Sequence, residues 1–155
     1  MLFEVFKEGI FVFRELHETR WQPFGLEGDL LLFFRDLKTS IDSKYLDRTR
    51  KLISEKYYSK TYINTNKLQL ISYFQDIFKT LPFFVNPSLE VEVCKAPESK
   101  NKQEVFLVIK PILNVHALGI NFASQGFGTS NRMGVLLERD KNSGLFSILN
   151  MEDIP

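Results

Sequence analysis

The stretch NKLQLISYFQDIFKTLPFFVNPSLEVEVCK (66–95) changes its hydrophobic period at Pro82. Before the proline, apolar residues recur at the three- and four-residue spacing of a buried helix face: Leu70, Phe74, Ile77, Phe78 and Leu81. After it, apolar residues alternate with glutamates, as in a half-buried strand: Leu89, Val91 and Val93 against Glu90 and Glu92. The residue before a proline is disfavoured in the α region, so the helix is expected to end there. The stretch therefore predicts a helix that leads directly into a strand.

Two helices are predicted on the N-terminal side of this change. One covers residues 66–80, and the side-chain oxygens of Asn64, Thr65 and Asn66 are available to cap its first turn. The other covers residues 42–58 and places apolar residues on one face and charged residues on the opposite face. The apolar face consists of Leu46, Ile53 and Tyr57.

Strands are predicted for the rest of the chain. The apolar segment 2–14 indicates a buried strand. The run LLLFF (30–34) fits a strand or the start of a helix, and its length and flanking residues favour the strand. Residues 83–149 are predicted as mainly antiparallel strands, with Pro111 marking an edge or a bulge. The predicted fold is a single α+β domain over residues 1–155, in which two helices cover one face of an antiparallel sheet.

Charge is unevenly distributed along the chain. The whole sequence carries a net charge of +1, which does not indicate a nucleic-acid-binding protein. Residues 38–79, however, carry nine Lys and Arg against four Asp and Glu, a local excess of +5. This segment predicts either a positive binding face or an ordinary solvated helix face.

Cysteine and histidine are too scarce for a familiar metal site. The chain has one cysteine, Cys94, and two histidines, so neither an internal disulfide nor a zinc spacing is possible. Cys94 follows an apolar alternation and is predicted as a small core residue. The segment MLFEVFKEGIFVF has no signal-peptide pattern, and no apolar run approaches the ~20 residues of a membrane helix. We expect a cytoplasmic protein without membrane contact, cofactor or metal.

The segment QGFGTSNRMGV (125–135) is rich in glycine and polar residues and lies between two predicted strands. It is not a dinucleotide fingerprint or a P-loop, since it opens no helix and Gly134 precedes Val135 rather than Lys. Glycines allow a phosphate to approach main-chain amides, and the polar side chains add donors and a cation. The candidate RNA-binding residues of this segment are Gly126, Gly128, Thr129, Ser130, Asn131, Arg132 and Gly134. The alternative is a turn whose glycines serve only the backbone.

This segment resembles the hallmark loop of the CRISPR-associated RAMP superfamily. That loop has a Gly-hydrophobic-Gly unit, five residues that often include Lys or Arg, and a second such unit. Gly126-Phe127-Gly128 matches the first unit, Gly134-Val135 matches most of the second, and Arg132 matches the basic position. Leu136 stands where the last glycine is expected. The resemblance implies a protein that binds or processes guide RNA within a larger complex of protein subunits, as part of antiviral defence. It also implies a ferredoxin-like fold, which is compatible with the predicted order of helices and strands.

Basic residues of the segment 47–62 form a second candidate RNA contact. The same segment contains Tyr57, Tyr58 and Tyr62, and cations interleaved with aromatic residues suit phosphate pairing and base stacking. The candidates are Arg48, Arg50, Lys51, Lys56 and Lys60. The resemblance further implies that a processing enzyme would use a histidine in proton transfer, and His17, with Arg14 and Arg20 nearby, is the candidate.

Three functions remain open at the level of sequence. The first is an RNA-binding subunit of a CRISPR-type ribonucleoprotein that uses the glycine-rich loop and the basic helix. The second is a metal-independent endoribonuclease that uses His17. The third is a protein-interaction or structural module without nucleic acid, in which some of the 15 phenylalanines and other aromatic residues contact a protein partner.

Overall fold

The computed structural model describes residues 23–61, 65–117, 120–126 and 132–154, and it describes the side chains of these except for 115–117 and 120–126. In this part of the chain, three helices accompany a five-stranded antiparallel sheet and a two-residue strand pair. The helices are α1 (Gly28–Asp42), α2 (Leu46–Lys51) and α3 (Lys67–Thr80). The strands are β1 (Tyr58–Ser59), β2 (Thr65–Asn66), β3 (Val85–Ser99), β4 (Glu104–Ala117), β5 (Ile120–Gly126), β6 (Met133–Arg139) and β7 (Phe146–Asp153).

The sheet confirms the predicted α+β class. Its order is β3-β4-β6-β7, every pairing is antiparallel, and β5 pairs with the C-terminal part of β4. The described residues after Pro82 form strands and no helix, as the change of period at this proline predicted. The predicted strand 2–14 lies outside the described residues.

The helix α3 confirms the prediction for residues 66–80. Asn66 accepts a hydrogen bond from the backbone N–H of Gln69, and the Gln69 side chain accepts one from the backbone N–H of Asn66. This capping box satisfies two backbone donors that a helix N-terminus otherwise leaves free. The helix ends at Thr80, two residues before Pro82.

The strand prediction for LLLFF (30–34) is wrong, because these residues lie in α1. The helical period does not stop at the end of the run: Phe33, Leu37 and Ile41 follow one another at intervals of four and are all buried. A run of five apolar residues fits both structures, and only the continuation beyond it favours the helix.

The prediction of one helix over residues 42–58 is also wrong. Lys44 adopts a left-handed conformation with φ of 54° and ends α1, and α2 then covers only Leu46–Lys51. Residues 52–54 run beside β7 instead: Ile53 forms a parallel bridge with Ile148, whose N–H donates to Leu52 O. This pairing covers the free edge of β7, so tertiary contact overrides the helical pattern.

The outer edge of β3 is blocked by side chains of α1. The backbone N–H of Leu89 donates to Asp42 Oδ1 over 2.8 Å, and Lys38 Nζ donates to Leu89 O over 2.9 Å. Lys38 and Asp42 are also joined by a salt bridge of 2.8 Å. Two side chains one helical turn apart thus satisfy backbone groups that an edge strand normally exposes.

Pro111 lies within β4, which has neighbours on both sides. Residues 104–109 of β4 pair with β6, and residues 112–117 pair with β5. Pro111 falls between these two stretches and pairs with Val91 of β3 on the other side. Proline has no backbone N–H to donate. Pro111 therefore lies where the partner of β4 changes from β6 to β5, and not at the predicted edge of the sheet.

The hydrophobic core lies between the helices and one face of the sheet. Phe34 of α1, Phe74 of α3 and Leu107 of β4 are among its buried members. Cys94 does not belong to it, contrary to the prediction: it is exposed, next to a register shift between Val93 and Lys95. None of the described helices is both long and apolar enough to cross a membrane.

Candidate functional site

A cleft of about 650 Å³ lies between α1, α2 and the turn that joins β6 to β7. The α1 residues that line it are spaced at i, i+3, i+4 and i+7, so they form one stripe along that helix: Asp29, Leu32, Phe33 and Asp36. The segment around α2 contributes Tyr45, Asp47, Arg48, Lys51 and Leu52, and the third wall consists of Arg139 and residues 143–146. Its volume falls in the ~300–1,000 Å³ range of ligand-binding clefts.

The cleft has a buried apolar floor and an exposed apolar rim. Phe33 and Phe146 are buried and Leu52 is partly buried. The rim carries three large apolar side chains that water reaches: Leu32 and Tyr45, each 55% exposed, and Leu145, 71% exposed. Contact with water is unfavourable for apolar surface, so covering the rim with a ligand would contribute favourably to the free energy of binding.

Most charges of the cleft are paired within the chain. Arg139 bonds Asp29 over 3.0 Å, and Arg48 bonds Asp36 over 2.7 Å. Asp47 contacts Arg50, which lies outside the cleft, over 3.4 Å. The remaining charged residue of the lining is Lys51, which is exposed and whose side chain has no hydrogen bond or ion pair to the described residues.

Arg139 is held more firmly than a surface arginine. Besides its bond to Asp29, Nη1 donates to Gly144 O over 2.8 Å, and the guanidinium carbon lies 4.3 Å from the centre of the Phe146 ring. Stacking and two hydrogen bonds together fix its orientation. The turn between β6 and β7 is thereby joined to the first turn of α1.

A small void lies between the helices and the sheet in the part of the chain that the structure describes. The void between the helices and the sheet is about 40 Å³, room for roughly one water molecule. Its described lining is entirely apolar and consists of Leu37, Ile41, Ile53, Leu70, Phe74, Leu89, Val91, Ile109, Pro111, Met133, Ile148 and Met151. Of these two concavities, the outer cleft is the larger and the more chemically varied.

Glu152 of β7 organises a polar cluster with residues 59–61, outside the lining of the cleft. Its carboxylate accepts five hydrogen bonds, from Ser59 Oγ, Lys60 N, Thr61 N, Thr61 Oγ1 and Asn150 Nδ2. Burial alone would raise its pKa, but the hydrogen bonds from Thr61, Lys60 and Asn150 outweigh that effect and lower the pKa of Glu152 to about 2. The cluster fixes the segment 59–61 against β7 and is fully occupied by the chain's own donors.

Tyr57 lies close to this cluster but inside the hydrophobic core. Burial raises the pKa of its phenol above the ordinary value of 10, against a smaller lowering by Ser59 and with a further rise due to the charge of Glu152. Its hydroxyl has no partner at hydrogen-bonding geometry within the described structure. Tyr57 lines neither the cleft nor the interior void, so it adds no group to either.

The structure distributes the predicted basic residues over several surfaces. Arg48 and Lys51 meet in the cleft, whereas Arg50 lies outside its lining. Lys56 is exposed beyond α2, and Lys60 takes part in the Glu152 cluster through its backbone N–H.

The residues of the glycine-rich segment lie elsewhere. Gly126 ends β5, Arg132 is exposed just before β6, and Gly134 lies within β6, paired with Val108 and Glu152. A Cβ at Gly134 would lie 3.0 Å from Ile154 Cδ1 and 3.1 Å from the Phe106 ring, so this glycine serves close packing. Gly128, Thr129, Ser130, Asn131 and His17 lie outside the described residues.

The length of β6 separates the two sets of candidates. Arg132 precedes the strand, and Arg139, which lines the cleft, ends it. Seven residues of extended chain span about 23 Å at about 3.3 Å per residue. Arg48 and Lys51 therefore share their surface with Arg139 and not with Arg132.

Several cleft residues were not foreseen from the sequence. Asp29 and Asp36 are seven residues apart and share a face only once residues 28–42 are recognised as a helix. Arg139 and Leu145 come from a turn 110 residues away from Asp29 and carry no local signal. Among the described residues, no group of three or more His, Cys, Asp or Glu side chains is placed to hold a metal ion.

The comparisons with known proteins concern the fold. No protein-family model matches the chain, and no curated protein matches it in sequence. Similar solved structures include an NTF2-like protein of unknown function in nutrient uptake from Rhodospirillum rubrum, with a TM-score of 0.59 and 10% identity over 81% of this chain and 96% of that one. Aln2 from a Streptomyces species has a TM-score of 0.61 and 10% identity over 80% and 85%. A ketosteroid isomerase-like protein from Erwinia carotovora atroseptica has a TM-score of 0.54 and 10% identity over 78% and 88%.

These neighbours overturn the resemblance to the RAMP superfamily and, with it, the interpretation of the chain as an RNA-binding subunit of a CRISPR ribonucleoprotein in antiviral defence. The motif covered about a dozen residues, and one of its glycines, Gly134, is required by packing inside β6. A ferredoxin-like arrangement is not supported either. The order of helices and the antiparallel sheet instead match an architecture shared by proteins of different kinds, and the chain has an NTF2-like fold.

Proposed function

We propose that this chain is a protein-interaction module that binds an apolar segment of a partner protein in the cleft between α1, α2 and the β6–β7 turn. The observation that carries the proposal is the rim of Leu32, Tyr45 and Leu145, exposed above the buried Phe33 and Phe146. Binding surfaces of this kind combine aromatic residues and arginines around an apolar centre. Tyr45, Arg48 and Arg139 supply that combination here.

The charges of the cleft support a protein partner over a polyanion. A surface for nucleic acid needs cations that are available to neutralise phosphates. The cleft lining holds three aspartates, Asp29, Asp36 and Asp47, against Arg48, Lys51 and Arg139, and both arginines are paired with aspartates. Paired charges around an apolar floor favour a neutral or weakly charged ligand.

The interior supports binding over catalysis of the kind suggested by the name of the ketosteroid isomerase-like neighbour. Proton transfer to or from a substrate needs a titratable side chain within hydrogen-bond reach. The described lining of the interior void offers Leu, Ile, Val, Phe, Met and Pro side chains, in a volume of about 40 Å³. The outer cleft is the larger site, and its arginines are held in ion pairs.

Substitutions on the rim are expected to weaken binding strongly without unfolding the protein. Peptides selected from a random phage-displayed library against the immobilised chain should carry apolar anchor residues. Their affinity, measured by fluorescence anisotropy, should fall at least tenfold in Leu145→Asp and in Tyr45→Ala, because replacing a residue that anchors a bound peptide typically costs ~2 kcal/mol or more.

Leu68→Asp provides the matched control. Leu68 is 80% exposed on α3 and does not line the cleft, so its replacement should leave peptide affinity unchanged. Thermal unfolding followed by circular dichroism should confirm that all three variants fold. Equal affinity of Leu145→Asp, Tyr45→Ala and the parent protein would show that the cleft is not the binding surface.

A further inference from the structure

The charges of the cleft are balanced except at one side chain. Asp29 and Asp36 are paired with Arg139 and Arg48 at 3.0 and 2.7 Å. Asp47 contacts Arg50 outside the cleft. Lys51 remains as the cation of the lining to which the described residues give no ion-pair partner.

The position of Lys51 places this charge beside the apolar floor. It is the last residue of α2, adjacent to Leu52 of the floor and one helical turn after Arg48. A lysine ammonium is a compact charge on a flexible stem with three donors, so it adapts to a carboxylate at several positions. Arg48 and Arg139 lack this freedom, because their partners fix them.

The ion pairs limit how much negative charge the cleft accepts. The three carboxylates of its walls occupy Arg139, Arg48 and Arg50, so these cations are not available to a ligand. One ligand carboxylate next to Lys51 gains an ion pair, whereas further carboxylates find no uncommitted cation in the described lining. A ligand lysine, in turn, would face Lys51 and aspartates that are already paired.

We infer that the partner segment carries a single acidic side chain between or beside its apolar anchors, and that Lys51 binds this carboxylate. The inference rests on the proposed function, since it concerns the ligand of the same cleft. In this arrangement Lys51 determines which ligand charge is preferred, and the apolar floor and rim supply most of the affinity.

Charge selectivity is tested with capped peptides from the selection, each made as three versions with Glu, Gln or Lys at the acidic position. The parent protein should bind the Glu version about three- to fivefold more tightly than the Gln version, as expected for an exposed ion pair. The preference should disappear in Lys51→Met, and Lys51→Glu should prefer the Lys version. It should also weaken as salt rises from about 0.01 M to about 1 M, because screening shortens the range of the charges.

Lys56→Met is the matched control, since Lys56 is exposed outside the cleft lining. It should keep the preference of the parent protein. A Glu-to-Gln ratio that is the same in Lys51→Met as in the parent would overturn the inference, as would selected peptides without an acidic residue. If Leu145→Asp still weakens binding in that case, the proposed function stands without the charge selectivity. If Leu145→Asp has no effect, the cleft is not the site and both fall.

Discussion

Replacing Phe34 by alanine is expected to lower the free energy of unfolding by about 3–5 kcal/mol. Phe34 is 1% exposed, belongs to the core cluster and packs edge-to-face against Phe33, with ring centres 5.2 Å apart. Removing the ring forfeits its burial and leaves a cavity that the surrounding helices and sheet close only in part. Urea unfolding followed by circular dichroism measures the loss.

Phe24→Ala is the control for this experiment, because it removes the same ring from a side chain that is 94% exposed. Its effect should stay within about 0.5 kcal/mol. Similar losses of stability in the two variants would contradict the placement of LLLFF (30–34) in a buried helix. A larger loss in Phe24→Ala would show that this residue is covered in solution.

Replacing Glu152 by glutamine is expected to cost about 1.5–3 kcal/mol of stability near neutral pH, the range for hydrogen bonds to a charged group. The carboxylate accepts from Ser59, Thr61 and Asn150 side chains and from two backbone N–H groups. A glutamine amide turns one of its two acceptor atoms into a donor, so at least one of these donors loses its partner.

This loss should depend on pH in a defined direction. The pKa of Glu152 is lowered from an ordinary value of 4.5 to about 2, so its charge stabilises the folded state fully above about pH 4.5. As pH falls from 4.5 toward 2, the unfolded chain takes up the proton first and the contribution is lost. The difference in unfolding free energy between the parent and Glu152→Gln should therefore shrink over that interval. Glu90→Gln, at an exposed site on β3, is the control for the removal of one negative charge.

The junction of α3 and β3 could be predicted from the sequence because each period continues long enough to be unambiguous. Leu70 and Phe74 are buried at helical spacing, and Leu89 and Val91 are buried at alternating positions. The cap at Asn66 and the proline at position 82 add local signals that do not depend on the rest of the fold. No comparable signals flank residues 30–34, where five apolar residues suit either structure.

The segment 42–58 shows that the burial of a residue can be predicted correctly even when its secondary structure is not. Ile53 and Tyr57, assigned to the apolar face of a helix, are indeed buried. They are buried because residues 52–54 pair with β7, which lies about a hundred residues later in the chain. A pairing between such distant segments leaves no trace in a local pattern, and it outweighs the modest preference of the segment for a helix.

Two of the three cations of the cleft are the only part of it that was identified from the sequence. The excess of Lys and Arg in residues 38–79 identified Arg48 and Lys51 as candidates for binding. Their neutralisation could not be foreseen, since Asp36 pairs with Arg48 across the turn between α1 and α2, and Asp29 pairs with an arginine 110 residues away. A count of charges along the chain therefore overstated the positive charge that the surface presents.

Because side chains of α1 cover the edge of β3, one backbone amide of β3 reports whether α1 is packed against the sheet. The N–H of Leu89 bonds a side chain of α1, 47 residues earlier, rather than a neighbouring strand. Its exchange with deuterium therefore requires α1 to move away from the sheet, while the pairing of β3 with β4 can remain intact. The exchange rate of this amide should rise in Asp42→Ala and, less strongly, in Lys38→Met, whereas amides bonded between β3 and β4 should keep their rates. Hydrogen exchange at Leu89 would thus measure how often α1 detaches from the sheet, independently of the unfolding of the sheet.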